Sequence, residues 1–582
     1  MNASGRGWPT FRAMERHFAT VWESVADAVG EQVAIVQGDV RRTWHDFDDR
    51  SARLAAALTA AGLEPGSKVA EYLYNSPEYL ETYYAALKIR AVPVNVNYRY
   101  LDDELLYLLD NSEAEVLVFH SSLGDRVARI RDRATGVRLF VEVDDGGPLI
   151  EGVTSYETLI GAHQPAPRID RSADDITMTY TGGTTGMPKG VMSRIGVGVD
   201  AILSSTPPIV GEAPVADPAD VAALARRFAG EGRKLVGLPA CPLMHATGLA
   251  IGTFPSLTFG GTIVLLTGRG LDVDELWDAV EQERVLSLTL VGDAFARPLL
   301  RGLDQGRTRD LASLLVILSS GAMFSTEVKR GLHEHLPGAL VIDFIAATEG
   351  TMGISYSSKD RPAVTGHFVP SPGVKVFTPD EREVVAGSGE SGVVAVPGSI
   401  PVGYFKDEAK TDRTFRVIDG IRYSFPGDWA TVGADGSLAL LGRGSQCINT
   451  GGEKVFPEEV EEALKRHPGV EDSLVFGVAD DRFGQRVVAV VSPTATPAAI
   501  PGSAVVLDGQ AVVDALRHEL SSYKLPRAVV VVDVVPRAPN GKADYPTARR
   551  LFGEALPDRP VGGRADQEPL EGRSGDRGSF GP

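Results

Sequence analysis

The sequence is poor in cysteine. It has two cysteines in 582 residues, Cys241 and Cys447, which lie far apart along the chain. This scarcity argues against a disulfide framework and a cysteine-based metal site, and it fits a reducing compartment. The N-terminal residues also lack the apolar core of a signal peptide. We therefore expect a cytoplasmic protein.

Basic residues are fewer than acidic ones. The 58 lysines and arginines stand against 77 aspartates and glutamates, which gives a net charge of −19. Such a balance disfavours non-specific binding to nucleic acids or to anionic membranes. We therefore expect no nucleic-acid partner, and an anion such as ATP needs a local concentration of hydrogen-bond donors.

Residues 235–267 contain no Asp, Glu, Lys or Arg. Their number would suffice to cross a bilayer. However, Pro239, Pro242 and Pro255 interrupt the stretch, and His245 lies within it. Backbone broken in this way is not tolerated where it faces lipid. We therefore predict a buried helix and strands joined by loops, without stable membrane insertion.

The length and the apolar pattern indicate several domains. A chain of 582 residues exceeds what one hydrophobic core usually serves. Helical and strand patterns alternate, as in parallel sheets with covering helices, before a β-rich stretch and a short α+β pattern. The prediction is an α/β fold whose large N-terminal domain has layered β-sheets, covering helices and a β-rich subdomain, followed by a small mobile α+β C-terminal domain. The predicted boundaries are 1–444 for the N-terminal domain, 445–552 for the C-terminal domain and 553–582 for a disordered tail.

A segment rich in glycine and threonine, residues 179–190, suggests an anion-binding loop. It reads TYTGGTTGMPKG and follows a predicted strand at 176–180. Consecutive backbone N–H groups can form a concave nest for phosphate, which threonine hydroxyls and Lys189 could supplement. The G-x-x-x-x-G-K-[ST] register fails, because Met187 and Pro188 separate Lys189 from the preceding glycine. This disfavours a kinase or motor ATPase, and a flexible surface turn is the alternative.

Residues 180–192, YTGGTTGMPKGVM, resemble the phosphate loop of the acyl-adenylate-forming superfamily. That superfamily includes acyl-CoA synthetases, adenylation domains of peptide synthetases, and luciferases. One position departs from the usual motif, since Gly182 stands where serine is common. The resemblance implies that the loop grips the pyrophosphate of ATP with Lys189 assisting, through residues Thr181, Gly182, Gly183, Thr184, Thr185 and Gly186.

Two companion motifs follow in the expected order, PLMHATG at 242–248 and SSGA at 319–322. In the superfamily the first borders the acyl carboxylate, which implies this role for His245. A satisfied core histidine is the alternative for His245 taken alone. The second motif is a turn of small residues under the adenine and beside the acyl group. It implies contacts from Gly321 and Ala322.

The segment DFIAATEG at 343–350 resembles a third motif, which usually ends in Tyr-Gly-x-Thr-Glu. The resemblance implies that Thr348 contacts phosphate and that Glu349 holds Mg²⁺, a hard cation that prefers oxygen ligands. Ile345 and Ala346 replace the usual aromatic residue and glycine. We therefore expect the adenine to rest on the aliphatic side chain of Ile345.

The remaining motifs lie toward the C-terminus. YSFPGDW at 423–429 implies that Asp428 accepts hydrogen bonds from the ribose hydroxyls, and Arg443 adds a ribose or phosphate contact. GGEK at 451–454 resembles the loop that lines the coenzyme A tunnel. The tunnel residues implied by this likeness are Gly451, Gly452 and Glu453.

PNGKADY at 539–545 resembles the terminal motif of the superfamily. It implies that Lys542 is the catalytic lysine, which bridges the substrate carboxylate and the α-phosphate where negative charge is crowded together. In the superfamily the small domain rotates between two half-reactions. The resemblance places that hinge at Ser445.

The resemblance implies a two-step ligase that uses ATP, Mg²⁺ and coenzyme A. The substrate carboxylate attacks the α-phosphorus of ATP to give acyl-AMP and pyrophosphate, and the thiol of coenzyme A then expels AMP. Residues 246–255 are small and apolar and offer no charge for an amino acid's ammonium group, which favours a lipophilic acid. The segments 291–298 and 444–456 look most like the actinobacterial fatty-acyl and steroid-side-chain CoA ligases.

Three alternatives stay open. An acyl-AMP ligase could deliver its product to a carrier protein, and a non-catalytic relative could only bind an acyl group or a nucleotide. The presence of Lys542 and Glu349 argues against the non-catalytic relative. The broken apolar segment argues against the third alternative, a membrane transporter. Whether the chain forms a homodimer is also left open.

Overall fold

The computed structural model describes residues 14–183, 186–450, 453–480, 483–494, 507–538 and 541–556. Its α-helices are α1 (Phe18–Val29), α2 (Trp44–Ala60), α3 (Pro77–Lys88), α4 (Asp102–Ser112), α5 (Gly124–Ile130), α6 (Tyr156–Gly161), α7 (Ile195–Ile209), α8 (Val221–Gly230), α9 (Phe254–Thr258), α10 (Val273–Gln282), α11 (Gly292–Gln305), α12 (Thr326–His335), α13 (Glu408–Thr414), α14 (Pro457–Lys465), α15 (Gly509–Ala515) and α16 (Tyr545–Ala555). Its strands are β1 (Val33–Gln37), β2 (Val40–Thr43), β3 (Lys68–Tyr72), β4 (Val92–Asn95), β5 (Ala114–His120), β6 (Leu139–Val143), β7 (Thr154–Ser155), β8 (Ile176–Gly183), β9 (Gly186–Arg194), β10 (Val236–Pro239), β11 (Thr262–Leu265), β12 (Ser287–Leu290), β13 (Val316–Ser320), β14 (Leu340–Ala347), β15 (Gly350–Ser357), β16 (His367–Pro370), β17 (Lys375–Phe377), β18 (Ser391–Pro397), β19 (Gly403–Tyr404), β20 (Phe415–Ile418), β21 (Ile421–Ser424), β22 (Asp428–Val432), β23 (Leu438–Arg443), β24 (Ile448–Thr450), β25 (Glu453–Val455), β26 (Val470–Asp480), β27 (Gly484–Pro493) and β28 (Val529–Val531).

Two large sheets organise most of the chain. The first has 15 strands in the order β2-β1-β11-β10-β12-β13-β14-β15-β16-β23-β22-β18-β21-β20, with β17 paired to β18. The second has eight strands in the order β19-β9-β8-β4-β3-β5-β6-β7. Within them, β1, β11, β10, β12, β13 and β14 pair in parallel, as do β8, β4, β3, β5, β6 and β7. The carboxyl ends of parallel strands meet at one edge, which is where ligands of α/β proteins usually bind.

Helices α1, α2 and α3 join the two sheets through the largest apolar core. This core contains Trp22 and Trp44, with Ile35 from the first sheet and Val118 from the second. Both tryptophans are almost completely buried. Burial of one large apolar side chain contributes about 1.5–3 kcal/mol, so this core holds the sheets, and therefore their loop-bearing edges, in fixed positions.

The chain forms two compact units. The large unit comprises Met1–Leu441 with Arg537–Lys542, and the small unit comprises Gly442–Pro536 with Ala543–Pro582. The small unit has a five-stranded sheet in the order β25-β24-β27-β26, with β28 paired to β27. This mixed α/β architecture confirms the predicted fold class. The predicted boundary between 444 and 445 stays a prediction.

Local sequence signals explain where helices begin. The apolar pattern predicts helices over 50–61 and 77–88; the second coincides with α3, whereas the first begins earlier, at Trp44. The prediction missed this start because Thr43 and Asp46 form a capping box ahead of the apolar stripe.

The predicted tail from 553 overlaps the end of α16 at Ala555, and residues from 557 onward lie outside the described part.

In the described part of the chain, no helix combines the length and the apolar composition that a membrane span requires. Residues 235–267 instead form β10, a π-helical turn at Thr247–Ile251, α9 and β11, with connecting loops. The prediction of a buried helix and strands joined by loops in this uncharged stretch is therefore confirmed.

Candidate active site

The glycine-threonine segment forms a β-hairpin. Strands β8 and β9 pair antiparallel, with Thr181 opposite Lys189. The hairpin strands hold the predicted phosphate-loop residues Thr181, Gly182, Gly183, Gly186 and Lys189. The predicted residues Thr184 and Thr185 lie outside the described residues. The strand predicted over 176–180 is confirmed and continues to Gly183.

Gly190 explains why the two strands can lie so close. A Cβ atom at Gly190 would be 2.8 Å from the Sδ atom of Met178 and 2.8 Å from the ring of Tyr180. These distances are shorter than van der Waals contact, so a larger residue would push β9 away from β8. The hairpin geometry therefore depends on this glycine.

Lys189 forms an ion pair with Asp407. Asp407 also caps α13, since its carboxylate accepts a hydrogen bond from the backbone N–H of Lys410 at 2.9 Å. The hydrogen bond from Lys189 holds the pKa of Asp407 below its usual value. A phosphate at the hairpin would therefore compete with Asp407 for the ammonium group.

His245 lies in the loop that follows β10. A Cβ atom at Gly248 would be 2.4 Å from the carbonyl oxygen of Pro242, so only glycine allows this loop to fold back on itself. Burial, followed by the positive charge of Lys542, lowers the pKa of His245 to about 4. The imidazole is therefore neutral at neutral pH and can donate or accept a hydrogen bond without adding charge.

The turn at Gly321 and Ala322 follows β13 and packs against the start of α11. Gly321 has a φ of 93°, a left-handed conformation that favours glycine. The backbone N–H of Gly292 donates to Ser319 Oγ at 3.1 Å, and that of Asp293 donates to the carbonyl of Met323 at 2.9 Å. The two ends of the turn are thereby fixed to one helix.

Thr348 and Glu349 form the turn between β14 and β15. The hydroxyl of Tyr404 donates a hydrogen bond to Glu349 Oε1 at 2.5 Å. Tyr404 lies in β19, where it pairs with Val191 of β9. Strand β19 therefore brings the carboxylate of Glu349 close to the glycine-threonine hairpin, as the sequence motifs imply for a nucleotide site.

Ile345 is largely buried, with 6% of its surface exposed. It belongs to an apolar cluster with Val191 and Met352. Little of the side chain reaches the surface of the site. Its proposed contact with adenine stays a prediction.

Asp428, the predicted ribose ligand, begins β22 and is 7% exposed. Arg443 and Glu453 belong to the small unit. The backbone N–H of Arg443 donates to Glu458 Oε1 at 3.4 Å, and Glu453 lies exposed in β25 opposite Thr450. The predicted tunnel residues Gly451 and Gly452 lie outside the described residues.

Lys542 ends a tight turn, Arg537–Lys542, that groups with the large unit. The backbone N–H of Ala538 donates to the carbonyl of Lys542, and that of Gly541 donates to the carbonyl of Ala538, both at 2.8 Å. A Cβ atom at Gly321 would be 3.9 Å from Lys542 Cε. Within the large unit, His245, Gly321 and Lys542 are thus neighbours.

Glu349 is a single carboxylate, so it suits a metal ion that takes most of its ligands from the substrate and from water. Among the described residues, no group of three or more His, Cys, Asp or Glu side chains could hold a metal ion. Mg²⁺ commonly binds through one or two carboxylates together with substrate phosphates rather than in an all-protein cage. Glu349 beside the hairpin therefore suits Mg²⁺ that arrives with a nucleotide.

Two contacts of this site have no counterpart among the sequence motifs. Tyr404 holds Glu349, and Asp407 holds Lys189. Both lie in the short segment 403–407, GYFKD, which is not part of any motif described above. Their partners are more than 50 residues away in sequence, so only the folded chain reveals the contacts.

The same fold occurs in solved structures of other proteins. The anthranilate CoA ligase AuaEII in complex with anthranoyl-AMP has a TM-score of 0.77 at 20% identity, with 94% of this chain and 99% of that chain covered. ATP-bound MatB from Rhodopseudomonas palustris has a TM-score of 0.73 at 25% identity, with 94% and 100% covered. Both comparisons show that the chain has the fold of these solved structures.

The chain belongs to the AMP-binding enzyme family, whose profile matches residues 22–404, while the profile of the AMP-binding enzyme C-terminal domain matches residues 459–542. It is 40% identical to a 3-oxocholest-4-en-26-oate–CoA ligase of Rhodococcus rhodochrous, over 93% of this chain and 96% of the relative. It is 39% identical to a medium/long-chain-fatty-acid–CoA/3-oxocholest-4-en-26-oate–CoA ligase of Mycolicibacterium smegmatis, over 94% and 98%. A feruloyl-CoA synthase of an Amycolatopsis species is 32% identical over 95% and 100%.

Proposed function

We propose that the protein is an ATP-dependent, AMP-forming acyl-CoA ligase for a lipophilic carboxylic acid, either a fatty acid or a steroid side-chain acid. The observation that carries the proposal is the contact of Tyr404 with Glu349 through β19, because it unites the phosphate hairpin with a metal-binding carboxylate. The names of the two relatives near 40% identity, both CoA ligases for 3-oxocholest-4-en-26-oate and one of them also for medium- and long-chain fatty acids, support the substrate class. The sparse cysteines support a cytoplasmic location.

In the first half-reaction, the hairpin residues and Lys189 bind the β- and γ-phosphates of ATP. Glu349 would hold Mg²⁺, which when bound neutralises charge on the phosphates. The oxygen of the substrate carboxylate attacks the α-phosphorus, and pyrophosphate leaves. Catalysis of such a transfer depends mainly on positioning and on charge neutralisation, and these residues provide both.

Lys542 and His245 act on the acid. The ammonium group of Lys542 offsets the negative charge that the carboxylate and the α-phosphate bring together. The neutral imidazole of His245 borders the carboxylate without trapping it as an ion pair, since the lowered pKa keeps the ring uncharged. Asp428 accepts from the ribose hydroxyls and Arg443 adds a contact to the ribose or phosphate.

The second half-reaction transfers the acyl group to coenzyme A. The thiol of coenzyme A attacks the acyl carbon of acyl-AMP, the mixed anhydride breaks, and AMP leaves. Gly451, Gly452 and Glu453 line the path of coenzyme A in this proposal. No protein nucleophile takes part.

A screen of carboxylic acids tests the proposal. The purified protein is mixed with ATP, MgCl₂, coenzyme A and one acid from a fatty, steroid or aryl series, and release of AMP is measured. We expect acid-dependent AMP release that requires coenzyme A, with fatty or steroid acids preferred. An acyl-AMP ligase that serves a carrier protein would instead form acyl-AMP and turn over slowly with coenzyme A. Absence of acyl-AMP with every acid would contradict the proposal.

A further inference from the structure

Asn95 joins two segments of the site that come from different sheets. It is the last residue of β4 in the eight-stranded sheet. Its Oδ1 accepts from the backbone N–H of Tyr180 at 2.7 Å, and its Nδ2 donates to the carbonyl of Tyr180 at 3.0 Å. The same Nδ2 donates to the carbonyl of Met244 at 2.6 Å. One side-chain amide thus contacts the residues immediately before Thr181 and before His245.

The two segments have no shared strand pairing at this point. Tyr180 lies in β8, which pairs with β4 and β9 of the eight-stranded sheet. Met244 follows β10, which belongs to the 15-stranded sheet. The amide of Asn95 matches a peptide group in its donors and acceptor, so it can complete backbone hydrogen bonding on both sides. Its three bonds fix the spacing between the phosphate hairpin and the His245 loop.

A second asparagine holds the same loop from the other end. Asn75 Nδ2 donates to the carbonyl of Cys241 at 3.1 Å, and the backbone N–H of Leu243 donates to Asn75 Oδ1 at 2.8 Å. The His245 loop is therefore held at three backbone positions by Asn95, at the end of β4, and by Asn75, which follows β3. The side-chain hydrogen bonds of Asn75 reach the His245 loop, whereas those of Asn95 reach both that loop and the hairpin.

We propose that Asn95 is a positioning residue for acyl-AMP formation, which sets the distance between ATP on the hairpin and the acid beside His245. The proposal rests on the proposed function. When two separate substrates must react, their atoms have to approach in line, and a misplacement of 1 Å can lower the rate about 100-fold. Once acyl-AMP exists, its own covalent bonds fix that distance. The contribution of Asn95 is therefore concentrated in the first half-reaction.

Asn95→Asp tests this role with almost no change of volume. The carboxylate can still accept from Tyr180 N–H but cannot donate to the carbonyls of Tyr180 and Met244, which it would repel. We expect kcat/KM for acyl-AMP formation to fall about 100-fold, mainly in kcat. Reaction of coenzyme A with supplied acyl-AMP should fall less than about 5-fold, because the joined ligand spans the two segments itself.

Asn111→Asp is the matched control. Asn111 in α4 accepts a hydrogen bond from the hydroxyl of the same Tyr180 through Oδ1 at 2.7 Å, and an aspartate keeps that acceptor. Both half-reactions of this variant should stay within about 2-fold of the parent protein, because the aspartate keeps the hydrogen bond that Asn111 accepts from Tyr180. Thermal unfolding of all variants establishes the folded fraction to which each rate is normalised.

Hydrogen–deuterium exchange provides a readout that does not depend on activity. Asn95→Asp should increase exchange in peptides covering 176–183 and 240–248 together, whereas Asn111→Asp should leave 240–248 unchanged. Equal loss of both half-reactions, or unchanged exchange at 240–248, would overturn the positioning role. A parent protein that makes no acyl-AMP would contradict the proposed function alone, because the exchange result still decides whether Asn95 joins the segments.

Discussion

At the scale of single residues, Lys542 should separate the two half-reactions most clearly. Lys542→Ala removes the ammonium group that offsets charge between the carboxylate and the α-phosphate. We expect acyl-AMP formation to fall by at least about 1,000-fold, as for loss of a strong electrostatic contact. Reaction of supplied acyl-AMP with coenzyme A should be largely spared. Rapid-quench assays of each half-reaction measure this, with the exposed Lys359→Ala as control. Equal loss in both steps would rule out the assignment.

Tyr404 should determine how well Glu349 serves as a metal ligand. Tyr404→Phe keeps the ring that packs on Phe415 but deletes the hydroxyl that donates to Glu349. A charge-assisted hydrogen bond contributes about 1.5–3 kcal/mol, so its loss should raise the MgCl₂ concentration for half-maximal acyl-AMP formation about 10-fold. Tyr356→Phe is the control, since Tyr356 is an exposed residue of β15, the strand that follows Glu349. An unchanged Mg²⁺ dependence would show that Tyr404 does not position the carboxylate.

The residues that motifs could predict are those next to the reacting groups. Glu349 and Lys542 stand in patterned segments whose chemistry is visible from their neighbours in sequence. Asn95 and Tyr404 act on residues 85 and 55 positions away, so no local pattern identifies them. For Ile345 the motif predicts a contact with adenine, but the position in the motif does not reveal that the side chain is mostly buried.

At the scale of elements, the β8–β9 hairpin should tolerate no side chain at Gly190. Gly190→Ala would place a methyl group 2.8 Å from both Met178 and Tyr180. Such overpacking typically costs about 1–3 kcal/mol and would displace β9, which carries Lys189. We expect a lower melting temperature and a raised KM for ATP. Gly230→Ala, where a Cβ atom meets nothing within 4 Å, is the control. A Gly190→Ala protein with unaltered KM would show that the hairpin adapts.

Helices and strands were predicted well where one pattern dominated. The helix α3 was predicted to its last residue because Ser76 caps it, Pro77 begins it and its apolar positions repeat. The β-rich stretch gave less information, because its strands join the 15-stranded sheet through long-range pairs such as β16 with β23. Strand order depends on contacts distant in sequence, which periodicity does not encode.

At the scale of the whole molecule, buried histidines should make the large unit sensitive to mild acid. Burial lowers the pKa of His17 to about 3, and it lowers those of His120 and His245 to about 4. Each ring is neutral in the folded state and takes a proton more readily when unfolded. The contribution of these histidines to the free energy of unfolding is therefore complete above pH 6.5 and is lost as the pH falls below that value. Glu71 has the opposite effect on stability. Burial raises its pKa well above 4.5, so its contribution is present below pH 4.5 and is lost as the pH rises.

His17→Asn isolates one of these contributions. The Nδ1 atom of His17 caps α1 by accepting from the backbone N–H of Ala19, and asparagine is a good substitute cap. Between pH 6.5 and 5, the parent protein should lose about 1.6 kcal/mol of unfolding free energy from His17, because the slope approaches about 1.4 kcal/mol per pH unit only below pH 6.5, and the variant cannot lose this contribution. The tryptophans that the structure describes, Trp22, Trp44, Trp277 and Trp429, all belong to the large unit, so urea titrations followed by tryptophan fluorescence report its unfolding. The stability difference between the two proteins should therefore shift in favour of the variant as the pH falls. A difference that stays constant with pH would mean that His17 does not titrate on unfolding.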